Sequence, residues 1–220
     1  MFNGLVNLIY PTKCLLCEKK TEDESLCQEC RNLWKPVPHK LKDFTFPTYA
    51  AIRYDRVAMK IVLQAKEEGN RSAQALIATA ISSSITKLIS SSSKEFALVP
   101  IPTSTKPYRR RGIDPILELA SQTRLQMQNA NQKFTVAQLL EVRKSLHDQT
   151  GLTNLERLRN LAGAFQVKNE IVRDFYDSRP IIVIDDVVAS GSTLREAVRA
   201  LKERNLTVIG AASACFTFRY

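Results

Sequence analysis

Long apolar runs are missing from this chain. No stretch approaches the roughly 18 to 20 consecutive apolar residues that a membrane-spanning helix requires, so an integral membrane protein is not expected. Acidic residues are also short, with 22 Asp and Glu against 32 Lys and Arg and a formal net charge of +10. Such an excess favours polyanionic partners, although a basic surface that serves only solubility is equally compatible with it. The apolar opening Met1–Tyr10 has neither the basic n-region nor the small-residue cleavage site of a secretory signal. It is expected to form a short amphipathic helix on the body, with contact to a membrane surface as the alternative, and the chain is expected to be cytoplasmic. There is no internal repeat.

What is present fits a soluble globular protein: 220 residues, 44% apolar and 25% charged, enough for one α/β domain and a small appendage. Cysteine is scarce, yet four of the five cysteines fall in the first 30 residues as two C-x-x-C knuckles, Cys14/Cys17 and Cys27/Cys30. Each knuckle places two thiolates on one metal. The nine residues from Glu18 to Leu26 allow the chain to return and close a tetrahedron of sulfurs. Zinc is therefore the expected ion, with Cys14, Cys17, Cys27 and Cys30 as ligands and, since four thiolates leave no open position, a structural role. A redox dithiol would be expected once, in a βαβ unit, and disulfides conflict with a cytosolic setting. Leu15, Leu16, Leu33 and Trp34 are expected to pack this module on the main body. The fifth cysteine, Cys215, lies in the apolar run Val208–Phe218 and reads as a buried thiol.

The richest segment is Ile181–Leu194. Four β-branched residues, Ile181 to Ile184, read as a strand covered on both faces. Asp185 and Asp186 follow, then the small residues Ala189-Ser190-Gly191-Ser192-Thr193, then helical spacing from Leu194 to Leu201. A small-residue turn opening a helix gathers backbone N–H groups and the positive end of the helix dipole, which suits a phosphate. Carboxylates beside a phosphate repel it unless they accept sugar hydroxyls or hold a divalent cation. A ribose 5-phosphate satisfies both halves.

Between these motifs, Tyr49–Tyr54 alternates like a strand, Asp55 caps a helix whose apolar face is assigned to Val57, Met59, Ile61, Val62 and Leu63, and Lys66–Asn70 ends it around Gly69. Ala73–Ile89 is a second helix. Phe96–Pro102 is an apolar strand leading into the basic run Lys106–Gly112, with Arg109, Arg110 and Arg111 beside Tyr108. Ile113–Met127 reads as helix, Phe134–Val142 as a strand, Lys144–Leu152 as a loop, Thr153–Asn160 as helix and Gly163–Val167 as extended.

The run VIDDVVASGST resembles the phosphate-loop motif of the type I phosphoribosyltransferases. Taken with the four-cysteine finger, the Lys-x-x-Gly helix end, V-P-I-P, R-x-R-G, Gln-x-Gly-Leu and R-x-N-x-x-G-A-F in that order, the chain resembles the ComF family over about residues 5 to 216. The resemblance implies an α/β fold of the type I phosphoribosyltransferase kind, a Rossmann-like parallel sheet, with residues 1–47 as zinc finger and connector and residues 48–220 as the main domain. It implies a cytoplasmic protein binding phosphoribosyl pyrophosphate (PRPP) with Mg²⁺, associated with natural competence, with single-stranded DNA and with DNA-import proteins at the cytoplasmic membrane. An active phosphoribosyltransferase of nucleotide metabolism or salvage, and a non-catalytic PRPP-sensing regulator that binds nucleic acid, are the alternatives.

On this reading Asp185 and Asp186 carry the catalysis, facing the ligand crevice rather than the core, and Val188, Ala189, Ser190, Gly191, Ser192 and Thr193 join them in holding PRPP. Lys66, Arg109 and Arg111 are candidates for the pyrophosphate, Lys66 being equally readable as a plain helix-end cation. His147, Arg157 and Asn160 are further positions to test. The chain departs from the family pattern at Ile113-Asp114-Pro115, where Phe-Asn-Gln is usual, and at Thr150. No segment declares a nucleobase-specific hood, and no catalytic cysteine opens the chain as in an N-terminal-nucleophile amidotransferase.

Overall fold

A computed structural model describes residues 12–21, 25–89, 95–103, 114–128, 132–143, 163–168 and 179–217. In chain order these form β1 (Thr12–Lys13), β2 (Lys20–Thr21), α1 (Gln28–Arg31), β3 (His39–Lys40), β4 (Thr48–Arg53), α2 (Arg56–Lys66) and α3 (Arg71–Leu88). They continue with β5 (Glu95–Pro100), α4 (Pro115–Gln126), β6 (Lys133–Val136), β7 (Leu140–Val142), β8 (Phe165–Val167), β9 (Ile181–Val188), α5 (Ser192–Lys202) and β10 (Val208–Phe216).

The central sheet has six strands in the order β3-β4-β10-β9-β5-β6. All neighbours are parallel except β3, which runs antiparallel to β4 at the edge. Strands in such a sheet are covered on both faces, and β9 follows that rule: Ile181, Ile182, Val183 and Ile184 are all buried. Because successive side chains alternate, Ile182 and Ile184 join one core with Trp34, Ile61, Ile81 and Leu119, under α2, α3 and α4. Ile181 and Val183 join the other, with Phe46, Leu139, Phe165 and Leu194, under α5 and the antiparallel pair β7–β8.

Capping chemistry sets the helix starts. Asp55 accepts a hydrogen bond from the Ala58 N–H at 2.9 Å and Asn70 from the Ala73 N–H at 3.1 Å. Asp114 does more: its carboxylate accepts from the Ile116 N–H (2.9 Å), the Thr103 N–H (2.9 Å) and the Thr103 hydroxyl (3.0 Å), and Pro115 takes the first helical position. Asp114 thus ties the residues after β5 to the start of α4.

Three expectations change. The inward face of α2 is Ala58, Ile61, Val62 and Ala65, while Met59 and Leu63 are exposed. Leu33 is exposed as well, leaving Trp34, with Leu15 and Leu16 partly buried, to join the module to the core. The strand expected over Phe134–Val142 is two, β6 in the central sheet and β7 paired with β8, separated at Ala137–Leu139. The connector, moreover, supplies β3. Met1–Tyr10, Ser90–Ser93, Lys144–Leu152 and Thr153–Asn160 lie outside the described residues.

Replacing Asp114 by Ala removes the cap and orphans the Thr103 groups. It is expected to cost about 2 kcal/mol, read as a lower urea midpoint at unchanged slope. An unchanged midpoint contradicts the assignment.

Candidate functional site

The four N-terminal sulfurs come together as their spacing requires. Cys14, Cys17, Cys27 and Cys30 have all four Sγ atoms within 4.8 Å of one another. Four sulfurs at about 2.3 Å from a central zinc stand roughly 3.8 Å apart, so the cluster is close to a tetrahedral site. The β1–β2 hairpin and α1, for which Cys27 is the N-cap residue, make the two knuckles. All four are thiols, not disulfides.

The ionisation of the cluster is divided. Against the burial that opposes a charge, backbone N–H groups of Cys17, Cys27 and Leu16 turned toward Cys14 draw its thiol down to about 6. Burial and the neighbouring sulfurs push Cys30 up to about 12. One thiolate makes the next costlier, a conflict that a bound cation removes. The module is bolted to α2: the Lys60 ammonium donates to the Leu16 carbonyl at 2.9 Å and the Gln64 amide to the Leu15 carbonyl at 3.2 Å.

The second cluster sits in the last half of β9, past its final pairing with β5 and still paired with β10. Asp185 is half-buried and Asp186 buried. Each carboxylate folds back on the chain: Asp185 Oδ1 accepts the Asp186 N–H at 2.9 Å, and Asp186 Oδ1 accepts the Val187 N–H at 2.8 Å. Asp186 Oδ2 takes the ammonium of Lys66 from the last turn of α2. Burial first, and the Asp186 charge second, hold Asp185 well above the ordinary carboxylate range. Tyr54 is raised by burial and by the same Asp186 charge. The two carboxylates therefore differ: Asp186 is enclosed and paired, while Asp185 is the more open to a ligand. Lys66 is both a helix-end cation and the partner of the acidic pair.

Beyond β9, Gly191 adopts φ 72° and N-caps α5. Only glycine suits it, because the left-handed backbone is compounded by a Phe44 ring carbon 2.4 Å from where a Cβ would stand. Ser190 and Ser192 hydroxyls share a hydrogen bond of 2.8 Å, and the Ser192 N–H donates to Ser190 Oγ at 3.3 Å. Arg195, one turn into α5, staples the connector over this turn. It donates to the Ser190 carbonyl at 2.9 Å and the Asp43 carbonyl at 2.7 Å, with its guanidinium 4.6 Å from the Phe44 ring centroid. Of the loop residues named from sequence, Ala189 is exposed, Ser190 and Thr193 half-buried, Gly191 and Ser192 buried, and the Val188 side chain belongs to the core.

Arg195 and Phe44 were not singled out by sequence. Arg195 sits four residues past the turn glycine, but Phe44 is distant in the chain and nothing local announces it. Arg109, Arg110, Arg111, Tyr108, His147, Arg157 and Asn160 lie outside the described residues. Cys215 is buried, and burial raises its thiol far from reactivity.

Comparison with known families agrees with this geometry in two places. Residues 117–217, from α4 to the residue after β10, match the phosphoribosyl transferase domain, and residues 5–41 match the double zinc ribbon domain. The protein therefore combines a mostly parallel α/β domain of the phosphoribosyltransferase type with an N-terminal four-cysteine zinc-binding module. The ribbon segment holds four cysteines, enough for one closed four-thiolate site. No curated protein matches the chain.

Two predictions follow from these contacts. Purified full-length protein should carry about one zinc per chain. Its removal by a chelator under reducing conditions should red-shift the fluorescence of Trp34, the one tryptophan, which is buried in the same core as Cys14 and Cys30. Folded protein without metal, or a shift absent on removal, argues against a structural site.

The carboxylates separate by stability. With its folded-state value raised, Asp185 gives a stabilisation that is complete below the unfolded value and lost as pH rises through the folded one. Ionised Asp185 thus opposes folding, and Asp185→Asn should raise the melting temperature at neutral pH while flattening its fall as the pH rises above the ordinary carboxylate range. Asp186→Asn strands the Lys66 ammonium and should cost roughly 2 kcal/mol, a buried-pair loss discounted for the partly exposed lysine. Equal effects of the two substitutions would contradict the division.

Proposed function

We propose that the protein binds PRPP with Mg²⁺ through the unit β9–loop–α5, as a ComF-type phosphoribosyltransferase-like protein. The observation that carries this reading is the succession, on one strand, turn and helix, of two carboxylates, a left-handed glycine and a helix N-terminus whose N-cap residue, Gly191, brings no side chain of its own. The backbone N–H groups from Ala189 to Thr193 take the 5-phosphate, helped by the dipole of α5. Asp185 accepts the ribose hydroxyls, with Asp186 holding the strand end and Lys66 in place behind it.

When the C1–O bond to pyrophosphate breaks, positive charge grows on the ribose ring. Asp185 and Asp186 stabilise that charge, and catalysis is chiefly positioning and electrostatics. Lys66, through its pairing with Asp186, sets the charge of the acidic pair, and Lys66, Arg109 and Arg111 are the cations assigned to the departing pyrophosphate. Oxygen donors of this kind suit Mg²⁺, which Asp185, the more open carboxylate, would hold; when bound it supplies neutralisation of the pyrophosphate charge.

The competence role, with single-stranded DNA and import proteins at the cytoplasmic membrane as partners and a cytoplasmic location, belongs to this same proposal. It draws on the family resemblance and on the +10 charge. An active enzyme of nucleotide metabolism or salvage is the second reading, favoured by the completeness of the acidic pair and phosphate turn.

A titration of PRPP with Mg²⁺, followed by pyrophosphate release across bases, ammonia and amines, tests both. Binding that saturates and fails in Asp185→Asn is expected; release with any acceptor moves the conclusion to the second reading, and absence of binding overturns both. Changing Arg109, Arg110 and Arg111 together to Gln should weaken single-stranded DNA binding and flatten its salt dependence. An unchanged slope rejects the DNA assignment.

A further inference from the structure

Strand β10 carries a single hydroxyl, Ser213, among the small and apolar residues from Val208 to Phe216. Ser213 is fully buried, and its Oγ has no hydrogen-bond partner among the described residues. Alanine fills the positions on either side of it in the strand without difficulty. A buried hydroxyl that lacks a partner, by contrast, has given up its bonds to water for nothing. Such a group calls for an explanation, and its surroundings supply one.

Register decides what the hydroxyl faces. Ala212 and Ala214 belong to the core under α2, α3 and α4, so Ser213 between them points to the opposite face of the sheet, where Ala50 and Ala211 lie. On that face its register partners flank it, Ala50 of β4 on one side and Asp185 of β9 on the other. Neighbouring strands stand about 4.8 Å apart, a gap that a serine hydroxyl and a carboxylate span together. Of the two flanking side chains only Asp185 can accept a hydrogen bond. Asp185 commits Oδ1 to the Asp186 N–H, which leaves Oδ2 for another donor. From the far side of the sheet the Ser84 hydroxyl of α3 donates to the Ser213 carbonyl at 2.9 Å and holds the backbone from which this side chain projects.

We propose that Ser213 is a positioning residue for the sugar half of the site: when a pentose phosphate occupies the turn, its hydroxyl rotates about χ1 and donates to Asp185 Oδ2. One carboxylate oxygen is then held by the backbone and the other by Ser213, while the remaining lone pairs stay available to the sugar hydroxyls. The hydroxyl gains the acceptor that its burial calls for, and the gain goes to sugar binding and not to phosphate binding. The inference rests on the proposed function and deepens it, assigning recognition of the sugar to a residue that lies beneath the site and touches no ligand.

The test sets ribose 5-phosphate against inorganic phosphate, each titrated by calorimetry into the full zinc-loaded chain with Mg²⁺. Ser213→Ala should weaken ribose 5-phosphate roughly tenfold, the scale of one hydrogen bond to a charged group. Inorganic phosphate, which needs only the turn, should bind the variant as it binds the parent. The melting temperature of Ser213→Ala should stay level or rise, because the substitution removes a buried hydroxyl that has no partner. Ser213→Cys keeps a side chain of similar shape but donates poorly, and it should bind as the alanine variant does. Parent-like affinity for ribose 5-phosphate in either variant overturns the inference alone. Equal weakening of both ligands, with a lower melting temperature, makes Ser213 part of the packing and also overturns it. Failure of the parent chain to bind ribose 5-phosphate overturns the proposed function and the inference together.

Discussion

Two carboxylates side by side at the end of a central, doubly covered strand are the constraint to which the rest of the molecule answers. Neighbouring charges of one sign in a poorly solvated place are costly, and the protein meets that cost unequally. Asp186 is enclosed and given a cation from another element, while Asp185 is left half-open and reluctant to ionise. That cation fixes the position of α2, whose last turn must arrive beside β9. The zinc-binding module contributes to this by gripping α2 through Lys60 and Gln64, on the same helix as Lys66. A metal-organised appendage thus supports, through one helix, the counterion of the candidate site.

The other side of the site is governed by close approach rather than charge. Gly191 must be left-handed for the chain to turn from β9 into α5, and its missing Cβ is also what lets Phe44 lie against the turn. Arg195 makes this contact permanent, joining turn and connector through two carbonyls. The connector is therefore structural at both ends, as edge strand β3 and as cover of the Gly191 turn.

Patterns with strict local rules were legible in the sequence. Ile181–Ile184 declares a buried parallel strand, the two knuckles declare a metal site, and Asp55 and Gly69 mark helix ends, because each depends on neighbours along the chain. The α2 face was harder: Met59 and Leu63 outrank Ala58 and Ala65 in hydrophobicity, but a helix lying close on α3 and the module leaves room for alanine, not for the larger pair. The break between β6 and β7 carries no proline or glycine and is decided by which sheet each half joins. Phe44, Arg195 and the pairing of Lys66 with Asp186 depend on contacts over roughly 120 to 150 residues or more, which no local spacing encodes.

The central claim is that β9, the Gly191 turn and α5 hold a sugar phosphate. It is tested most directly by the backbone amide resonances of isotopically labelled protein during a titration with ribose 5-phosphate. The account predicts saturable shifts concentrated at Ser190, Gly191, Ser192 and Thr193, with a smaller change at Asp185 and little beyond. Shifts that avoid this turn, or no saturation while the protein remains folded, would contradict it.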